Sequence, residues 1–209
     1  MLVVAIGTYV LFFALDASVG GQPYRAYRNV TRAMTPTLLN GERFTAESLR
    51  GTKGELLAVS RGDLVVHRWP PDPTKLFVKR IVGIPGDTLA MVNGELLLDG
   101  QRATEPHAWH EEPGVDPGGA DFDWHRPYLV GVAARDTAAY RGSRNNWGPL
   151  VLPRNTYFVL GDNRDNSLDS RYWGFLPSED IVARPRRVYF SRDETSGAIR
   201  WGRVGTLLR

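Results

Sequence analysis

"LFVKRIVGIPGDTLAMVNGELLLDG", residues 76–100, sets the architecture of the chain. Two runs of β-branched and apolar residues, 76–84 and 88–92, are separated by the turn signal Pro85-Gly86-Asp87. Asn93-Gly94 then supplies the pair of positive-φ residues that a type I′ turn requires, so 90–100 reads as a hairpin. Working outwards, "DLVVHRW" (63–69), "NTYFVLGD" (155–162) and "RRVYFSR" (186–192) are further strands, bounded by turn signals such as "RGD" and "PPDPTK". Beyond the first fifteen residues no long segment carries a helical period. The expected fold class is mainly β.

Between the strands, residues 99–146 are rich in Gly, Pro, Trp and His and lack alternation, and they read as an irregular inserted lobe. The expected organisation is a segment 1–16, a polar link 17–28, a β core made of 29–98 and 147–209, and the lobe 99–146. The segment "MLVVAIGTYVLFFAL" has no charge before Asp16. As a helix it would span roughly 22 Å, short of the ~30 Å hydrocarbon core of a bilayer. A buried helix and a membrane anchor, short or truncated, both stay open. A secretory leader is disfavoured because no basic residue precedes the apolar run. The net charge of +3 is too small to argue for a nucleic-acid partner, and the absence of cysteine excludes disulfides and cysteine-ligated zinc.

One lysine has a chemical position. In a strand, Lys79 shares a face with Phe77 and Ile81, so its ammonium faces apolar surface, while Arg80 points the other way. The plain alternative is a strand lysine with its stem on apolar surface and its head in water. The stretch "GDNRDNSLDSRYWG" (161–174) reads as a rigid loop stitched by side-chain-to-backbone bonds. It fails as a calcium loop: with Asn163 as first ligand, Leu168 falls where Gly is needed and Gly174 where Glu is needed. "HAWHEE" (107–112) is not a zinc motif and lies in the irregular lobe, so no metal is expected. The tryptophans at 69, 109, 124, 147, 173 and 201 are scattered, which suits core and membrane-interface packing.

Four stretches, "AMTPTLLNGERF" (33–44), "RGDLVVHRWPPDP" (61–73), "FVKRIVGIPGDTL" (77–89) and "YFVLGDNRDNSLDSRYWGFLP" (157–177), together resemble the ordered boxes of bacterial type I signal peptidases. These are membrane-anchored Ser–Lys endopeptidases that remove leader peptides from exported preproteins. The resemblance runs from about Thr31 to the C-terminus, where "IRWGRVG" also fits, and is poor over 99–144. It implies an antiparallel β core with an N-terminal apolar helix as anchor, at the cytoplasmic membrane with the domain on the extracytoplasmic side. Partners would be leader peptides and membrane lipid, without nucleic acid or cofactor.

The resemblance also implies residue roles. Lys79 would be the general base, Ser167 its orienter, and Thr31 with the residue-33 N–H the oxyanion hole. Arg80 would pair with Asp162, and Asp169 with Arg171, as structural support. Met34, Leu38, Phe77 and Val78 would line pockets for small side chains. A lysine base working near neutrality needs its pKa lowered by roughly 3 units. The family pattern, approximately I-P-S/T-G-S-M-x-P-T-L, is met here by Asn29 to Leu38, and its nucleophile position holds Ala33. Ala33 has no lone pair with which to attack a carbonyl. Thr31 and Thr35 are displaced from it by about 6–7 Å along an extended chain. Asn29 and Arg32 depart from the pattern as well. An inactive paralogue that binds leader-like peptides or regulates an active peptidase is therefore the alternative. The self-cleaving repressor group is disfavoured, since nothing reads as a helix-turn-helix.

Overall fold

The computed structural model describes residues 24–111, 115–131 and 133–209. The expected anchor over 1–16 lies outside them. Alternating apolar residues give the strands their form, as in Arg43–Ser48, where Phe44 and Ala46 are buried. The chain order begins with β1 (Tyr24–Arg28), β2 (Arg43–Ser48), β3 (Leu64–Trp69), β4 (Asp72–Gly83), β5 (Thr88–Val92), β6 (Glu95–Leu98) and β7 (Gln101–Arg102). Then come β8 (Trp147–Val151), β9 (Thr156–Leu160), the one-turn helix α1 (Ser170–Trp173), β10 (Leu176–Pro177) and β11 (Ile181–Phe190). The mainly β expectation is met. The link expected over 17–28 gives way at Tyr24 to β1, which pairs antiparallel with β2.

Two antiparallel sheets form, in the orders β1-β2-β11-β3-β4-β9-β10 and β7-β6-β5-β8. The β5–β6 hairpin turns at Asn93 (φ 52°) and Gly94 (φ 81°), as their sequence demands. Pro185 lies in β11 beyond the stretch that pairs with β3, opposite Ala46 of β2, and a register shift follows it towards Arg187. The described residues of 99–146 are largely irregular, with 3-10 turns at Ala120–Tyr128 and Ala133–Arg135 and, among those described, only the two-residue strand β7.

Apolar clusters occupy both faces of the larger sheet. One holds Met34, Leu38, Phe44, Leu64, Val66 and Val188; the other holds Val65, Ile81, Val159, Leu176 and Ile181. A third joins the two sheets through Val82, Phe158 and Leu160 of the larger and Leu89, Met91, Trp147 and Leu150 of the smaller. β4 and β9 are therefore fixed on every side at the point where they end, and the loop after β9 starts from a rigid base.

Candidate active site

Register settles which side chains meet. Val65 lies opposite Lys79 and His67 opposite Phe77, so these four and Ile81 share one face of the sheet. Lys79 is only 4% exposed, and its Nζ lies 5.4 Å from the centre of the Phe77 ring. Burial pushes its pKa down from 10.5 to about 8; Asp169 and Asp162 draw it partly back, while Arg171 opposes them. His67, also fully buried, is held neutral by burial, its pKa lowered to about 3. Period-two reading places His67 on the Lys79 face, a neighbour that motif reading passed over.

Arg80, on the opposite face, grips Asp162 with Nε and Nη2 at 2.8 and 2.7 Å. Its Nη1 donates to the carbonyls of Gly62 and Arg209, and Thr37 Oγ1 donates to Asp162 at 2.5 Å. Asp162 thereby ties β4, the residue-33 loop and the loop after β9 together. Asp169 and Arg171 form the second buried pair, 2.8 Å at both contacts. Burial pushes the Asp169 carboxyl up, but Arg171 and the Gly161 N–H outweigh it and hold the pKa below its ordinary value. Asp169 also caps α1 by accepting from the Arg171 N–H.

Between these pairs lies Gly161. A Cβ there would come within 2.2 Å of Ser167 Oγ and 2.5 Å of the Ala33 carbonyl oxygen. Only glycine lets Ala33 and Ser167 approach the same point. The Ala33 carbonyl accepts from the Asn163 N–H at 3.1 Å, while Thr35 N–H bonds Arg32 O and Leu38 N–H bonds Met34 O. Asn29, one of the departures from the family pattern, is a staple: its amide donates to the carbonyls of Thr31, Leu38 and Leu39. The remaining expected residues fall as follows. Met34 and Leu38 are core residues, whereas Phe77 and Val78 are half-buried. Thr31 is exposed, its hydroxyl 3.4 Å from Asn29 Oδ1. Ser167 Oγ is buried and has no hydrogen-bond partner among the described residues, so the expected bond to the Lys79 amine is not made in this geometry.

Residues 105–111 of the lobe run as a strap along the loop after β9, which sequence reading missed. Trp109 N–H donates to Asp162 O at 2.8 Å, and Arg164 N–H donates to Trp109 O at 2.9 Å. Arg164, buried, holds Glu105 through two contacts of 2.8 and 2.7 Å. Glu111 accepts from Arg32 through one oxygen and from Asn163 Nδ2 at 2.9 Å through the other. Asn163, with Arg32 and Asn166, holds the Glu111 carboxyl below its ordinary range against the opposing cost of desolvation. Among the described residues no group of three or more His, Cys, Asp or Glu side chains is placed to hold a metal ion. Residues 107–111 of "HAWHEE" serve as part of the docking segment. A short run of His and Glu with one Trp, between two Pro residues, offers no periodic sign of that use.

The chain matches the family described as "Signal peptidase, peptidase S26" over residues 2–190. Signal peptidase I P of Bacillus subtilis subsp. natto is 34% identical over 162 residues, covering 77% of this chain and 74% of that protein. Signal peptidase I of Pseudomonas fluorescens is 33% identical over 152 residues, 64% of this chain and 50% of that one. Signal peptidase I of Aquifex aeolicus (strain VF5) is 28% identical over 197 residues, 80% of this chain and 76% of that one. A solved signal peptidase I from Enterococcus faecalis V583 shares 23% identity over 61% of this chain and 96% of that one; its TM-score of 0.40 is too low to carry an argument.

Proposed function

Because this chain belongs to the signal peptidase family, peptidase S26, among the bacterial type I signal peptidases, we propose that its cleft receives the leader peptide of an exported preprotein. The peptide lies extended along β4. β3 pairs with one edge of that strand, but β9 joins the other only from Arg80 onward, so residues 72–79 offer an edge for strand addition. Small side chains before the bond rest on Phe77 and Val78, with Met34 and Leu38 as the packed floor beneath Val78. Lys79 is the general base, Ser167 the hydroxyl that orients its amine, and Thr31 with the Ala33 N–H the oxyanion hole. The apolar run 1–16 anchors the chain at the cytoplasmic membrane with the cleft on the extracytoplasmic side.

The observation that carries this reading is Lys79, whose pKa of about 8 comes from burial beside the loop that also positions residue 33. At neutral pH a useful fraction of such an amine is free to accept a proton. Position 33 supplies none, so the chain as given binds leader peptides without cutting them. In the Ala33→Ser variant the introduced hydroxyl oxygen attacks the scissile carbonyl as its proton passes to Lys79 Nζ, and the ammonium then protonates the leaving amine. The expected result is preprotein cleavage in detergent by Ala33→Ser and none by the chain as given. Cleavage by both would show that residue 33 is not the required hydroxyl. Cleavage by neither, with both folded, would favour a non-cleaving holder, a reading that the Arg32–Glu111 contact beside residue 33 supports.

A further inference from the structure

An added strand cannot continue along β4 past Lys79, because Arg80 is already paired with Leu160 of β9. The part of the substrate beyond the reacting bond must therefore leave the sheet beside the loop that follows β9. That loop is walled by residue 33 on one side and the strap 105–111 on the other, since Asn163 bonds Ala33 O and Asp162 bonds Trp109. The side chains presented there are Trp109, 37% exposed, and the Arg32–Glu111 pair.

The pair is asymmetric. Both Glu111 oxygens are occupied, one by Arg32 and one by Asn163, and its side chain is 23% exposed. The Arg32 side chain is 56% exposed, and among the described residues only its Nη2 has a hydrogen-bond partner, while Nε and Nη1 have none. Among the described residues, a ligand in the exit thus meets guanidinium donors and an indole rather than a free carboxylate. We infer that Arg32 is a specificity-determining residue for the segment downstream of the bond, favouring acidic side chains in the first two positions of the mature protein and disfavouring basic ones. This rests on the leader-peptide reading of the β4 edge.

The test is equilibrium binding of fluorescent leader peptides to the full chain as given, in detergent. The peptides carry Ala-x-Ala before the bond and Glu, Ala or Lys at both positions after it. The expected order is Glu tightest, then Ala, then Lys, each step about two- to fivefold, as suits a solvent-exposed charge contact. The spread should shrink at about 0.5 M salt. Arg32→Gln should bring the three peptides within about twofold, and Arg32→Glu should reverse their order, both at an exposed position where folding is not at risk. Glu111→Gln keeps an acceptor for Asn163 and should widen the spread. An order unchanged in Arg32→Gln, or no discrimination by the chain as given, overturns the inference. A fourth peptide with Lys-x-Lys before the bond separates the two claims. If it binds as well as Ala-x-Ala, the leader-peptide reading falls and the inference with it. If it is rejected while the downstream series is flat, only the inference falls.

Discussion

Burying a lysine ammonium has a thermodynamic signature that is independent of turnover. Lys79 titrates at about 8 in the fold against an ordinary 10.5. Below about pH 8 the folded protein carries the full penalty of a charged, desolvated amine. Between about 8 and 10.5 the unfolded chain holds a proton that the folded one has released, so stability rises with pH; above that window the penalty is gone. Lys79→Met should therefore stabilise the protein at pH 7 by up to roughly 3 kcal/mol, with the gain vanishing above pH 10.5. Urea unfolding at several pH values measures this, and an equal effect at all pH values would show that desolvation is not the cause. Strand alternation placed Lys79 on an apolar face, but a plain surface lysine fitted that pattern too, and its expected role came only from the resemblance of the surrounding stretches. Gly161 and Asn163 were not legible, because their roles depend on a close approach to Ala33 across 128 and 130 residues of chain, for which no local pattern exists.

At the level of elements, the loop after β9 is tied to β4, to the residue-33 loop and to the strap, and Asp162 is its anchor. Asp162→Ala would leave Arg80, a guanidinium with 5% side-chain exposure, without its carboxylate. The expected cost is about 3–5 kcal/mol, against about 1 kcal/mol for Thr37→Val, which removes only one donor to the same carboxylate. Denaturant midpoints decide it: similar small losses for the two would mean that the Arg80–Asp162 pair does not hold the loop. The strands and the hairpin around this loop were readable from alternation and turn chemistry. β1 was not, because "YRAYR" carries long polar-headed side chains on a sheet edge and its alternation is weak. The strap escaped for a different reason. Its docking uses two backbone hydrogen bonds and ion pairs to residues 59 and 79 positions away, which impose no hydrophobic period.

At the scale of the molecule, the two sheets are not separate bodies. Phe158 of β9 stacks on Trp147 of β8 at 5.0 Å, inside a cluster drawn from both sheets. Phe158→Ala should cost about 3–5 kcal/mol. Near-ultraviolet signals from the smaller sheet and leader-peptide binding at the larger should then be lost in one shared transition rather than two. Separate midpoints would contradict the shared core. The open side of β4 has an outcome of another kind. An edge that accepts a peptide accepts any extended backbone, including that of a second copy, so the open cleft is a template for self-association. Pro73 and Lys75 near the hairpin tip discourage such pairing, but Leu76, Phe77 and Val78 carry no guard of that sort. On the proposed function a bound leader peptide is then also a solubilising ligand, and the protein should be hardest to keep dispersed when no peptide covers that edge.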